Sequence, residues 1–338
     1  MRRLAIGGVL ALLLLGLDAS GAGAWIRLPA TQFATLPSDA AHPEGITADA
    51  AGNIYVTTFD PGATVGRLIV FRPSGRLLRD VVVQNASPFL LGLAFHPTTG
   101  ALLVIDFGQG KVLAVDPVTG SNTVFTSVAP PPAAGLNALT FDHAGNVYVS
   151  DSFGGIVWKT GPAGGPASMF AASPLLQPNG VPPFGANGLA FNRAGTTLFV
   201  ANTANDTVVQ IPVSNPAGAS VFVHSINGAD GLIVDDEDNL WVAANQADEI
   251  VVVDPTGRAI AKLGDFEGLD PRGAPIGLLF PASPVFSRGF VYVTNLSLDL
   301  RVAVAPDVMA VDSPWAAEVT HHTVARIPAR IPPVHGLK

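Results

Sequence analysis

The stretch Asn187-Gly-Leu-Ala-Phe191, followed by Thr197-Leu-Phe-Val200, decides the fold. Leu189 and Phe191 alternate with smaller residues, and the second run is rich in β-branched and aromatic side chains. The pair reads as two strands joined by a tight turn. The same pattern recurs along the chain as Glu44-Gly-Ile-Thr-Ala with Asn53-Ile-Tyr-Val, Leu91-Gly-Leu-Ala-Phe with Ala101-Leu-Leu-Val, and Asn137-Ala-Leu-Thr-Phe with Asn146-Val-Tyr-Val. It continues as Asp230-Gly-Leu-Ile-Val with Asn239-Leu-Trp-Val, and as Ile276-Gly-Leu-Leu-Phe with Phe290-Val-Tyr-Val. Successive starts lie 47, 46, 50, 43 and 46 residues apart.

Two more strand-like runs follow in most copies, for example Arg67-Leu-Ile-Val-Phe71 and Asp80-Val-Val-Val83. Four strands per period of this length mark the blade of a β-propeller. The expectation is an all-β, six-bladed β-propeller with four strands per blade. The segment from Ile26 to Leu36 precedes the first copy and is expected to supply the outer strand of the last blade, closing the ring and removing an open edge. The sixth copy carries an insertion over roughly residues 296–320. No linker-like stretch divides the chain, so residues 25–338 read as one domain.

Composition narrows the function. Of 338 residues, 48% are hydrophobic and only 13% charged, with a net charge of −8. That sign is wrong for neutralising phosphates, so nucleic acid is not an expected partner. Gly and Pro number 36 and 29, which fits a turn-rich β architecture. Without cysteine there is no disulfide, thiolate metal site or Cys nucleophile. Arg2-Arg3, an apolar run from Leu4 to Leu17 and the small residues Ala19 to Ala24 have the three parts of a secretory signal peptide, expected to span residues 1–24. The 14-residue apolar run is shorter than a spanning helix needs. The expected protein is periplasmic or secreted, without a stable membrane anchor.

The residues that open the repeats should converge on the propeller axis. They are Glu44, Leu91, Asn137, Asn187, Asp230 and Ile276, followed by Gly at 45, 92, 188, 231 and 277. Glu44, Asn137, Asn187 and Asp230 bring two carboxylates and two amides to one point. Such a set repels itself without a cation and suits Ca²⁺ or another hard divalent ion, which takes oxygen ligands and leaves places for water or substrate. Asp106, Asp151, Asn202, Asn245 and Asn295 end the second strands at the same mouth, and are candidates to hold the ligands or contact substrate. The bland reading of each is a turn residue capping a strand. His42 reads as a loop histidine and His321-His322 match no ligand spacing.

The repeats, and in particular Glu44-Gly, Asn187-Gly-Leu-Ala-Phe and Asp230-Gly-Leu-Ile-Val-Asp followed by Asn239-Leu-Trp-Val, resemble the senescence marker protein (regucalcin)/gluconolactonase family over most of the chain. The resemblance implies a six-bladed propeller with a central calcium held by Glu44, Asn187 and Asp230. Asn137 would be a fourth ligand or a substrate contact, and the activity would be lactone hydrolysis. The Glu, Asn, Asn, Asp pattern is also similar to that of diisopropylfluorophosphatase and, more distantly, paraoxonase. Ile46 follows Glu44-Gly45 where that family often has Pro, and no arginine can be assigned to the substrate-binding Arg of sugar lactonases. The leading expectation is an exported Ca²⁺-dependent hydrolase of a small-molecule lactone or ester, with Asp230 as catalytic base. The alternatives are a non-catalytic NHL-type binding or scaffold propeller and a strictosidine-synthase-like lyase.

Overall fold

The computed structural model describes residues 27–128, 135–309 and 312–332. The expected signal peptide lies outside them. Six four-stranded antiparallel sheets succeed one another along the chain, and the ring of blades is the expected propeller. The first blade runs Pro43–Ala48, Ile54–Thr58, Arg67–Phe71, Leu77–Val82 from the axis outward, and the fourth runs Ala186–Phe191, Thr197–Asn202, Thr207–Pro212, Ser220–His224. The sixth blade is composite. Pro281–Ser287, Phe290–Asn295 and Thr323–Pro328 are completed by Thr31–Thr35, which pairs antiparallel with the last strand. The N-terminal strand thus closes the ring as its sequence position suggested, and Phe33 fixes it by an edge-on contact with Tyr292 at 4.6 Å.

A recurrent turn links the first two strands of alternate blades. Asp49 accepts from the Asn53 backbone and side chain and from the Tyr55 hydroxyl; Asp142 does the same with Asn146 and Tyr148, and Asp235 with Asn239 and Trp241. This hydrogen-bonded Asp explains why the turns read Ala-Gly-Asn or Glu-Asp-Asn. The aromatic residue it holds then packs on the next blade: Tyr55 on Phe95 at 5.1 Å, Tyr148 on Phe191 at 4.9 Å, Trp241 on Phe286 at 5.4 Å. Such edge contacts are each worth about 1 kcal/mol beyond their burial.

Every inner strand breaks register once, and at the same place. The shift falls between Pro43 and Ile46, Leu90 and Leu93, Leu136 and Leu139, Ala186 and Leu189, Ala229 and Leu232, and Pro281 and Pro284. A bulge of this kind removes two residues from the ladder and re-aims their side chains. The first of the two faces the channel and the second faces the neighbouring blade. A Cβ on Gly45 would lie 2.2 Å from the Leu91 carbonyl oxygen, and one on Gly188 would lie 2.5 Å from that of Asp230. Gly231 meets the Ala282 carbonyl in the same way, at 2.6 Å.

That last contact corrects the sixth repeat. The residue equivalent to Glu44 is Ala282, not Ile276. Ile276-Gly277 belongs to a two-stranded sheet in which Phe266 pairs with Gly277, and Ile276 is exposed. The sequence of that ribbon mimics the repeat, but the inner strand of the sixth blade begins only at Pro281 and breaks register between Pro281 and Pro284.

Candidate metal centre

The bulges bring Glu44, Leu91, Asn137, Asn187 and Asp230 to a single cavity on the axis. Behind them lies a second ring made by the residue just past each second strand: Phe59, Phe107, Ser152, Thr203, Asn245 and Leu296. The strand pairings define it, since Asp106, Asp151, Asn202 and Asn295 pair with the first residue of their inner strands, as Thr58 and Ala244 do in the other two blades. Side chains alternate along a strand, so one further residue changes the face. Phe59, Phe107, Thr203, Asn245 and Leu296 line the cavity.

Of the five second-strand candidates, therefore, only Asn245 reaches the channel. It is one register position beyond the other four. Asp106 accepts from Ser87 and Gln109. Asp151 gathers the backbone N–H groups of Gly135, Phe153 and Gly154 and the Trp158 indole. Asn202 donates to the carbonyls of Leu175 and Gln177, and Asn295 donates to Gly277 and Thr323 while accepting from Leu279. These four fasten the loops that frame the mouth.

The two rings pair within blades three to five. Asn137 Nδ2 donates to Ser152 Oγ at 3.2 Å, Asn187 Nδ2 to Thr203 Oγ1 at 2.9 Å, and Asn245 Nδ2 to Asp230 Oδ2 at 2.9 Å. The hydroxyls in turn donate onward, Ser152 to the Ala186 carbonyl and Thr203 to that of Ala229, so each inner amide is positioned through the next blade. Using the amide nitrogens as anchors leaves the amide oxygens to serve a cation. In the first blade Phe59 stands where a partner would stand, and Glu44 Oε2 is buried with no donor.

Three oxygens in the cavity share this condition: Glu44 Oε2, Asp230 Oδ1 and Asn245 Oδ1 are buried without hydrogen-bond partners. Glu44 and Asp230 are each only 4% exposed. Burial pushes the Glu44 carboxyl well above the ordinary range, with the Asp230 charge adding to it. Asp230 is pushed up to about 7 by burial, partly offset by the Asn245 amide that donates to it. Buried acceptors without donors and two carboxyls that disfavour each other's charge are what a cation would relieve. The donor set is all oxygen and fits a hard divalent ion better than zinc. Among the described residues no group of three or more His, Cys, Asp and Glu is placed to hold a metal, and the channel offers only two carboxylates besides its amides. The cavity holds about 50 Å³ open to water-sized occupants, several times the room a single water needs.

The insertion of the sixth blade covers one side of the mouth. Leu296, Leu298 and Leu300 are buried together with Phe280 and Ala282, and Phe59 packs against them. His42, read as a loop histidine, is drawn into this region: its Nδ1 lies 3.1 Å from the Leu296 carbonyl and its ring packs edge-on to His322 at 4.5 Å. It does not line the cavity.

Comparison with known proteins agrees with the architecture. Residues 184–264, which span the fourth and fifth blades and include Asn187 and Asp230, match the SMP-30/Gluconolactonase/LRE-like region. No curated protein gives a significant sequence match. Among solved structures, a calcium-binding regucalcin from Agrobacterium tumefaciens superposes with a TM-score of 0.60 at 18% identity, covering 92% of this chain and 99% of its own. A gluconolactonase from Xanthomonas campestris gives 0.58 at 16% identity, with 90% and 98% covered. A virginiamycin B lyase from Staphylococcus aureus gives 0.56 at 11% identity, with 87% and 83% covered. At these identities the likeness is one of fold.

Proposed function

We propose that this chain, which carries the SMP-30/Gluconolactonase/LRE-like region across its fourth and fifth blades, is a calcium-dependent hydrolase of lactones or related esters. The family match and propeller neighbours that include a gluconolactonase support a lactonase-type activity. The observation that carries the reading is the set of buried, unpartnered oxygens of Glu44, Asp230 and Asn245 at the axis.

Glu44, Asn137, Asn187 and Asp230 would hold the ion. A bound divalent cation supplies polarisation of the ester carbonyl and a site for water. The protein's own share is to fix the geometry and handle the proton. Ser152 and Thr203 lock the two amides, and Asn245 holds Asp230 by Oδ2. Asp230 Oδ1, the oxygen that Asn245 does not hold, is then the acceptor for the proton of the attacking water. Leu296, Leu298 and Leu300 of the insertion, with Phe59 against them, would keep bulk water from the reacting ester. Export is part of the proposal and rests on the sequence of residues 1–24 alone.

The test is hydrolysis of a lactone and ester panel with calcium and with chelator, by the wild-type chain and by Glu44→Gln and Asp230→Asn. Calcium-dependent turnover that both variants lose supports the proposal. Turnover that survives chelator and both substitutions overturns it. Calcium binding with no turnover of any lactone or ester assigns the propeller to a non-catalytic, binding role.

A further inference from the structure

The channel mouth has two chemically different halves. Around the second ring, blades three to five contribute Ser152, Thr203 and Asn245, and blades six, one and two contribute Leu296, Phe59 and Phe107. Phe184 enters from the loop before the fourth blade, and Leu298 and Leu300 enter from the insertion. Phe59 and Phe107 meet edge-on at 5.8 Å, and Phe107 continues to Phe153 at 5.5 Å, which stacks on Phe184 at 6.0 Å. The rings form a continuous aromatic wall from the first blade to the fourth, and the leucines of the insertion extend it on the other side.

The polar half has few groups left for a substrate. Thr203 Oγ1 accepts from Asn187 and donates to the Ala229 carbonyl, Asn137 is tied to Ser152, and Asn245 is tied to Asp230. Every polar side chain lining the cavity is an ion-holding candidate or is bonded to one, and no Arg, Lys, His, Ser or Tyr is among the lining residues. A polyhydroxylated ring would surrender its hydrogen bonds to water and find few replacements, since of the unpartnered oxygens of Glu44, Asp230 and Asn245 only the last lies outside the ion-holding set.

We propose that the substrate is a lactone or ester bearing an aliphatic or aryl substituent, with the reacting carbonyl at the polar half and the substituent on the wall formed by Phe59, Phe107, Phe184, Leu296, Leu298 and Leu300. The proposal rests on the hydrolase reading for its chemistry, but its ligand class can be tested separately. Sugar lactones are the class it excludes. A site built to contact an apolar substituent gains about tenfold or more in kcat/KM from it.

The experiment uses the full chain with calcium and compares δ-dodecalactone, δ-valerolactone and gluconolactone, alongside calorimetric binding of two non-hydrolysable probes, the alkyl-substituted δ-lactam and gluconolactam. The expected order of kcat/KM is dodecalactone at least about tenfold above valerolactone, with gluconolactone lowest. Leu298→Asn should compress the dodecalactone-to-gluconolactone ratio by about tenfold while its melting curve reports that it is folded. Gluconolactone turned over as well as or better than dodecalactone overturns the substrate class and leaves the hydrolase reading standing. No turnover of any lactone, with the alkyl lactam bound and gluconolactam not, overturns the hydrolase reading and leaves the ligand class standing. Equal binding of the two lactams, or binding of neither, in a chain without activity overturns both.

Discussion

Asn245 Nδ2 donates to Asp230 Oδ2 at 2.9 Å across two adjacent strands of the fifth blade, and Oδ1 of the same carboxylate is left buried without a donor. The carboxylate is thereby held by one oxygen and free at the other. The same ring-to-ring pairing recurs in the third and fourth blades with a hydroxyl as partner, and fails in the first, where Phe59 faces Glu44. One blade position thus decides whether an inner oxygen is anchored through a side chain or only awaits an ion.

Removing the anchor is the first prediction. Asn245→Leu takes away the hydrogen bond that favours the charged form of Asp230, so calcium affinity should fall by roughly 10 to 100-fold, the usual scale for an outer partner of a metal ligand. Calcium titration calorimetry measures it; affinity within twofold of wild type would show that the contact does not support the site.

Calcium binding should depend on pH. In the ion-free chain Asp230 holds its proton up to about 7, whereas its ordinary value is 3.8, and Glu44 is shifted in the same direction. Between these limits the folded chain binds more protons than the unfolded one, so ion-free stability falls as pH rises from about 4 to about 7. Calcium must displace those protons, so its affinity rises over the same window and levels off above it for Asp230. Melting temperatures with chelator and with calcium should diverge with increasing pH. Parallel curves would contradict the assignment.

The bulge glycines set blade spacing. Gly188→Ala places a methyl 2.5 Å from the Asp230 carbonyl oxygen and 2.6 Å from the Gly231 Cα, contacts that only a shift of two blades can relieve. Urea denaturation should show a loss of about 2 to 3 kcal/mol. Gly161→Ala, where nothing lies within 4 Å, should stay within about 0.5 kcal/mol and serves as the control.

Ring closure predicts a further cost. Phe33 is buried between Phe71 and Tyr292 and carries the only strand of the sixth blade that comes from the N-terminal side. Phe33→Ala should destabilise the whole propeller by about 3 kcal/mol, read as a single cooperative denaturation. A change below about 1 kcal/mol would mean that the closing strand is held by its ladder alone.

The sequence made the blades legible because each is announced by a short local motif whose turn, bulge and glycine all lie within a few residues. Glu44, Asn137, Asn187 and Asp230 were readable for that reason. Ile276 was misread because Ile276-Gly-Leu-Leu-Phe copies the motif without its register. In blades three to five 15 or 16 residues separate the paired ring positions; Ala282 lies 14 residues before Leu296, close to that spacing, whereas Ile276 is 20 residues away. The second ring was hidden by an offset of a single residue. Asn245 sits next to Ala244, the true counterpart of Asp106, Asp151, Asn202 and Asn295, and nothing short of the strand pairing distinguishes a loop anchor from a channel residue at that boundary. The apolar wall was out of reach as well, since its members come from four separate parts of the chain and obey no common spacing.

The central claim is that the carboxylates of Glu44 and Asp230 share one ion. Calcium titration calorimetry of the wild-type chain beside Glu44→Gln and Asp230→Asn tests it most directly. One tight site per wild-type chain, weakened at least about 100-fold by either substitution, is the result predicted. Undiminished calcium binding in both folded variants would contradict it.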